Sequence, residues 1–154
     1  MAGRKGVRNA GKADAGASPQ QFAALPFRDI EGLQVMLVTS RETRRWVLPK
    51  GWPIKGLRPP SVAKREAMEE AGLTGKVAKE PFGTYHYVKR MGKGVSKALE
   101  VGVFPMAVEK QRRDWPERLQ RTTSWFAPED AADLVDEPEL RDLILCFASS
   151  HRKA

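Results

Sequence analysis

The chain has 154 residues, of which 41% are hydrophobic and 30% charged, the composition of one ordinary globular domain. No run approaches the roughly 18 apolar residues of a membrane helix, and the basic N-terminus lacks the apolar segment of a signal peptide. One cysteine and two histidines exclude a Cys/His zinc cluster, so a metal would need oxygen ligands, as magnesium, manganese and calcium do. A reducing, cytoplasmic location without membrane attachment is the expectation.

The formal net charge of +8 favours anionic partners such as phosphorylated small molecules, an acidic surface or nucleic acid. A solubility charge with a basic tail explains the same excess. Residues 1–18 are rich in glycine, alanine and basic residues and have no apolar periodicity, which predicts a disordered tail. A passive tail is favoured over a nucleic-acid-binding arm, and residues 19–150 are expected to form the single folded domain.

The folded part begins with strand patterns and a long loop. Apolar runs at 21–27, 33–39 and 46–48 predict three strands, and the prolines and glycines of 50–60 predict a loop. A helix is expected at 61–71, with Pro60 at its first position and Gly72 just after its end.

The second half continues the alternation of strands and helices. Segments 74–90 and 95–109 are strand-like and flank a Gly-rich turn, and Trp125-Phe126 closes another short strand. Two helices are expected at 128–135 and 137–150. Together these elements indicate an α/β domain.

Three carboxylates crowd one face of the predicted helix. At about 100° per residue, Glu66, Glu69 and Glu70 fall within roughly a 100° arc, where like charges repel. Arg65 is placed to pair with Glu69, but one arginine cannot neutralise three glutamates, whereas a divalent cation can. Taken alone, the string also fits a solvated acidic face. The small residues at 63, 67 and 71 predict that the opposite face packs closely on a sheet.

The segment from Gly51 to Leu73 resembles the Nudix box, G-x5-E-x7-R-E-U-x-E-E-x-G-U, where U is a bulky apolar residue. Its spacing is kept over all 23 positions. Two positions depart from the pattern. Leu57 replaces the first glutamate, whose role therefore does not carry over, and Ala67 is smaller than usual. With the strands around it, the resemblance implies a Nudix-type α/β/α sandwich with a mixed sheet over residues 20–148.

The resemblance implies magnesium- or manganese-dependent hydrolysis of a phosphoanhydride. It assigns the metal site to Gly51, Glu66, Glu69 and Glu70, with Gly51 contributing its carbonyl. The catalytic candidates are Glu70, Glu69 and Arg65, the arginine as an orienter of the carboxylates. Some Nudix enzymes use a later glutamate as the general base; Glu100 and Glu117 are the alternatives here, although each also fits an ordinary surface carboxylate.

The surroundings of the box resemble the diphosphoinositol polyphosphate phosphohydrolases and the diadenosine polyphosphate hydrolases. The shared features are the segments 46–51, 114–116 and 124–126. Basic residues beside the box are placed to bind a polyphosphate chain, and the substrate-binding candidates are Lys50, Arg58 and Lys55. We expect His86 to be structural and the exposed loop residue Trp52 to be a possible stacking platform.

Several functions stay open within this family. Inositol pyrophosphates, dinucleoside polyphosphates and inorganic polyphosphate are all candidate substrates, and the basic charge adds RNA 5′-pyrophosphohydrolysis. The non-enzymatic alternative is a Nudix-fold module that binds nucleotides or RNA. Retention of Glu66, Glu69 and Glu70 argues against that alternative, and Leu57 is the one feature in its favour.

Overall fold

The computed structural model describes residues 20–153, and the tail predicted at 1–18 lies outside them. Eight strands form one sheet, and three helices cover its two faces. The strands are β1 (Gln20–Asp29), β2 (Leu33–Thr39), β3 (Trp46–Val47), β4 (Lys50–Gly51), β5 (Leu73–Val77), β6 (Gly83–Gly92), β7 (Val95–Gln111) and β8 (Thr123–Phe126). The helices are α1 (Pro59–Ala71), α2 (Pro128–Leu134) and α3 (Pro138–Lys153). None of these helices combines the length and apolar character that a membrane crossing needs.

The sheet is mixed, with the order β3-β2-β1-β7-β5 along its main path. Strands β1 and β7 run parallel, from Gln20 opposite Glu100 to Phe27 opposite Ala107, and the remaining pairs are antiparallel. Strand β4 pairs with β1, β6 with β7 and β8 with β2. This topology confirms the predicted α/β class and its mixed sheet.

Each face of the sheet carries its own hydrophobic core. Helix α1 lies on one face, where Ala63, Ala67 and Ala71 are fully buried and share a cluster with Phe104 and Met106. Helices α2 and α3 lie on the other face and contribute to a cluster that includes Leu25, Tyr85, Leu140 and Ile144. The three layers confirm the predicted α/β/α sandwich and the close packing of the alanine face.

Most predicted elements are present, with shifts in their limits. Helix α1 begins at Pro59, two residues before the predicted start, because prolines are tolerated in a first helical turn. It ends at the expected place, with Gly72 in the left-handed conformation at φ 71°. The prediction of one strand at 74–90 is wrong: β5 and β6 are separate, since the segment with Pro81 interrupts them.

Other limits differ as well, for example those of β7, which ends at Gln111 and not at 109. Strand β4 lies within the segment predicted as a loop, because its two residues have too little pattern to be recognised. Helix α3 continues to Lys153, three residues beyond the predicted end at 150.

Candidate active site

Helix α1 presents its three glutamates near the edge of the sheet, where they meet β4 and the loop that follows β7. Glu70 is only 5% exposed, whereas Glu66 and Glu69 are partly exposed. Glu70 is therefore buried together with the alanine face of the helix, whereas the other two glutamates reach solvent. Its side chain is buried because both the sheet and the 112–122 loop close over the C-terminal turn of the helix.

Glu66 and Glu70 are one helical turn apart, and their side chains are close enough for each to act on the pKa of the other. Burial raises the pKa of Glu70 well above its usual range, with a smaller opposing effect from Arg121. Burial also raises the pKa of Glu66, and the charge of Glu69 adds to that rise. A buried carboxyl beside a partly exposed one on the same helical turn is an arrangement in which a bound cation would offset the repulsion between the two charges.

Gly51 lies against the Glu66 carboxylate. A Cβ added at this glycine would stand 2.4 Å from Glu66 Cδ, so only glycine leaves room for the side chain. Pairing of Gly51 with Phe22 of β1 fixes the backbone there. The structure therefore brings two of the residues implied as metal ligands together.

The donor set fits a hard divalent cation, because Gly51 leaves room for the Glu66 carboxylate and the Glu70 carboxyl lies beside it. Within residues 20–153, no three acidic, histidine or cysteine side chains already converge on one metal-sized point. Glu69 shares the face of Glu66 and Glu70 but does not complete a closed cluster with them.

Beside the carboxylates lies a second group of side chains, here called the Lys50 wall: Lys50, Tyr87, Gln21 and the Arg45–Glu137 pair. The Lys50 ammonium group lies 5.0 Å from the centre of the Tyr87 ring, and the Tyr87 hydroxyl donates to Gln21 Oε1 at 2.7 Å. Burial lowers the pKa of Lys50 to about 8, although the nearby charge of Glu70 opposes that change. The lysine is thus still mainly a cation at neutral pH, held against an aromatic ring beside the carboxylates.

A partly buried ion pair lies near Lys50. Arg45 Nη1 donates to Glu137 Oε2 at 2.8 Å, and the charges of both residues act on the pKa of Lys50. Glu137 is mostly buried, and its other oxygen has no hydrogen-bond partner in the described part of the chain. The wall beside the carboxylates therefore carries both signs of charge.

The other predicted basic residues lie on the surface. Lys55 and Arg58 are exposed in the connection between β4 and α1. Arg65 is exposed as well, and its predicted pairing with Glu69 is wrong, because the arginine that pairs with the cluster is Arg121. Lys50 is thus the predicted substrate-binding residue that the fold holds in a defined position.

Sequence reasoning missed Arg121 and left Glu117 undecided. Arg121 Nη2 lies 3.8 Å from Glu70 Oε2, and Arg121 Nε donates to Glu117 Oε1 at 2.7 Å. The Glu117 amide donates to the Glu69 carbonyl at 3.0 Å. Of the two alternative bases, Glu117 is therefore beside the cluster, while Glu100 lies within β7 opposite His86. The arginines of the 112–122 loop give no sequence signal that separates Arg121 from the others.

Two other predicted residues have defined surroundings. His86 contacts Glu139 of α3, with 2.9 Å between Nδ1 and Oε1, which agrees with a structural histidine. Trp52 is 40% exposed in the connection after β4, so its indole remains accessible.

Comparisons with known proteins agree with this arrangement. The NUDIX domain model matches residues 11–145. Diphosphoinositol polyphosphate phosphohydrolase 3-alpha of Mus musculus is 31% identical over 119 residues, which cover 75% of this chain and 68% of that protein. Nudix hydrolase 12, mitochondrial, of Arabidopsis thaliana is 29% identical over 108 residues, covering 68% of this chain but only 53% of the relative.

Solved structures support the fold. A C. elegans Ap4A hydrolase binary complex superposes with a TM-score of 0.64 at 20% identity, covering 88% of this chain and 99% of that one. The family match spans most of the chain, and the box glutamates stand together on a helix of the expected sandwich. The chain belongs to the Nudix hydrolase family.

Proposed function

We propose that this chain is a magnesium-dependent hydrolase that cleaves a phosphoanhydride bond in a polyphosphorylated small molecule. The observation that carries the proposal is the adjacent pair Glu66 and Glu70 on one helical turn, with Glu66 packed on Gly51 and the charge of Lys50 acting on Glu70. Nudix hydrolases generally use divalent cations. Magnesium is proposed over softer metals because every candidate donor is an oxygen.

Each site residue has a proposed role. The carboxylates of Glu66, Glu69 and Glu70 and the carbonyl of Gly51 would hold the cation. When bound, the cation supplies positive charge to the phosphate oxygens and makes water more acidic. Glu70 is the proposed acceptor of the proton from the attacking water, with Glu117 as the alternative. Arg65, which is exposed, is at most a minor orienter.

The proposed substrates carry several phosphates. The named relatives include a diphosphoinositol polyphosphate phosphohydrolase, and an Ap4A hydrolase shares the fold. Lys50 offers a fixed cation beside the carboxylates, while Lys55 and Arg58 offer exposed charge nearby. We therefore propose higher kcat/KM for substrates with four or more phosphates than for ADP-ribose, since a longer chain reaches more of these cations.

A hydrolysis panel with products separated by anion-exchange chromatography tests the proposal, because ADP-ribose and diadenosine polyphosphates are cleaved to two phosphate esters and not to free phosphate. Diadenosine polyphosphates, inositol pyrophosphates, polyphosphate, ADP-ribose and triphosphorylated RNA are each assayed with magnesium, with manganese and with EDTA. We expect metal-dependent turnover that is greatest on a small polyphosphorylated molecule. Turnover in EDTA would contradict the proposed metal chemistry, and preference for the RNA would favour the alternative 5′-pyrophosphohydrolase.

A matched pair of variants shows whether the activity measured in the panel comes from this chain or from a contaminating phosphatase. Glu70→Gln removes the proposed proton acceptor, whereas Glu109→Gln makes the same change on the exposed part of β7. Activity that survives both Glu70→Gln and Glu117→Gln as fully as it survives Glu109→Gln would not arise from this site.

A further inference from the structure

Arg121 is an almost enclosed cation that contacts three parts of the molecule. Its side chain is 11% exposed. Nη1 donates to the carbonyl of Thr39 at the end of β2 at 3.1 Å, and Nε donates to Glu117 in its own loop at 2.7 Å. Nη2 lies 3.8 Å from Glu70 of α1. A planar guanidinium with five N–H groups suits such a three-way contact, and a lysine cannot reproduce it.

The loop that carries Arg121 is fixed over the end of α1 by its backbone. The Arg112 amide donates to the Gly72 carbonyl at 2.8 Å, and the Glu117 amide donates to the Glu69 carbonyl at 3.0 Å. The Trp115 ring occupies the space that a Cβ on Gly72 would need, at 2.2 Å. These contacts set the position of the Glu117 backbone, but its carboxylate is oriented by Arg121.

We propose that Arg121 is a positioning residue that holds the Glu117 carboxylate beside Glu66 and Glu70, so that Glu117 completes the cation-binding face of α1. The Glu117 side chain is 21% exposed and bonded to Arg121, and its charge already acts on Glu66. This inference rests on the proposed function, because that function gives the carboxylate face its cation.

A simple counter-charge role predicts the opposite effect on metal binding. A guanidinium 3.8 Å from a carboxylate repels an incoming cation, so its removal alone would tighten metal binding. Loss of positioning would instead weaken binding, since Glu117 would no longer be oriented. The direction of the change therefore separates the two roles.

The test is Mn²⁺ binding to the full chain, measured by calorimetry without substrate for the native protein, Arg121→Ala, Glu117→Gln and the double variant. We expect each single variant to weaken Mn²⁺ binding about tenfold, the lower end of the effect of outer residues on metal sites. In the Glu117→Gln background, Arg121→Ala should cause no further weakening. Tighter binding by Arg121→Ala, or the same weakening in both backgrounds, would overturn the proposal.

Arg44→Ala is the matched control for loosening of the loop. Arg44 donates to the Gln120 carbonyl at 3.2 Å and to Thr122 Oγ1 at 3.4 Å, so it anchors the same loop away from the carboxylates. We expect its Mn²⁺ affinity to stay within twofold of the native value. An effect as large as that of Arg121→Ala would make the role a general one in loop anchoring and overturn the proposal.

Arg121→Lys keeps the test decisive if Arg121→Ala does not fold. It retains the charge but loses the fixed three-way contact, so positioning predicts Mn²⁺ binding several-fold weaker than native, whereas a counter-charge role predicts no change. Unchanged binding would overturn the proposal.

Because Mn²⁺ binding needs no turnover, the two proposals fail separately. A chain that hydrolyses nothing in the panel but shows this cycle of affinities refutes only the proposed function. A chain that is active but does not show the expected pattern of Mn²⁺ affinities among the single and double variants refutes only the role of Arg121. A native chain that binds no Mn²⁺ refutes both proposals. In an active chain, Arg121→Ala should lower kcat about as much as Glu117→Gln, with KM within threefold of native.

Discussion

The carboxylate face of α1 and the Lys50 wall lie side by side but are built in different ways. The face takes its three glutamates from five consecutive residues of one helix, with Glu117 and Arg121 added by one loop. The wall gathers Lys50 from β4, Tyr87 from β6 and Gln21 from β1, with the Arg45–Glu137 pair beside them. The face is a local product of helix geometry, whereas the wall exists only after the sheet has formed.

The two regions differ in their proposed functions, cation binding for the face and substrate binding for the wall, and the sequence alone does not show this division. The face concentrates negative charge, so it is suited to bind a cation, and its proposed role is in the hydrolysis itself. The wall combines a lysine and an arginine with the carboxylate of Glu137, and its proposed role is to bind the substrate. Substitutions on the face should therefore act mainly on kcat and metal affinity, and substitutions on the wall mainly on KM.

The largest expected effect is that of Glu70→Gln on turnover. Removing a buried carboxylate that is the proposed proton acceptor should lower kcat by about 10³-fold, within the usual range for a general base. The fold should persist, because the amide is isosteric and relieves repulsion on the helix. Steady-state kinetics on the best substrate of the panel, with circular dichroism for the fold, measures both.

Glu109→Gln, on an exposed part of β7, should leave kcat within twofold of native. If Glu70→Gln keeps native kcat while Glu117→Gln loses it, the proton acceptor is on the loop and not on the helix.

Gly51→Ala should have the next largest effect. A Cβ at this position would stand 2.4 Å from Glu66 Cδ, so the carboxylate must move and the implied metal site is distorted. We expect kcat/KM to fall by about 10–100-fold, as it does when residues that orient metal ligands are lost. Gly102→Ala is the control, since its Cβ would meet no atom closer than 3.6 Å. Equal loss in both variants would indicate a general defect of the sheet and not a local one at Glu66.

The carboxylate face could be predicted because its three glutamates lie within five residues of one predicted helix. The period of an α-helix alone places Glu66, Glu69 and Glu70 together, and Gly72 marks where the helix stops. The same period places Glu70 about 20° from the buried Ala63, so its burial could have been predicted, whereas its contact with Arg121 depends on the loop folding back over α1. No sequence pattern predicts such a contact for a loop arginine that is separated from the helix by three strands.

The wall was predictable only in part, for the same reason. Lys50 was identified by its nearness to the box in sequence, as were Lys55 and Arg58, but the sheet holds only Lys50 against an aromatic ring. The partners of Lys50 lie on strands whose order along the sheet differs from their order along the chain. The fold itself was accessible because apolar runs and turn residues mark its layers, while two-residue strands such as β4 leave no periodic signal.

The effect of Lys50→Ala should be smaller and confined to binding. We expect KM for a substrate with four or more phosphates to rise about tenfold, the loss of one charge-assisted contact, with kcat within threefold of native. Arg58→Ala should raise KM less than threefold, because Arg58 is exposed and its charge is screened. Both changes should matter less for ADP-ribose and less at higher salt. Equal effects on long and short substrates would contradict the proposed polyphosphate preference.

The smallest expected effects, in the pH dependence of stability, separate the two regions without any substrate. In EDTA, the raised pKa of Glu70 means that the folded chain keeps a proton that the unfolded chain has lost, so stability should fall as pH rises above 4.5 towards that raised pKa. The pKa of Lys50 is lowered from 10.5 to about 8, so the folded chain releases that proton first and stability should recover between pH 8 and 10.5.

Thermal melts of the Glu70→Gln and Lys50→Met variants measure this pH dependence. Each variant should flatten one of the two pH windows, by about 2–4 °C in Tm for a change near 1 kcal/mol. Magnesium should lessen the first slope and leave the second, because a cation on the carboxylates replaces their proton. If Lys50→Met flattens the low-pH window instead, the two regions titrate as one unit and the division between them is wrong.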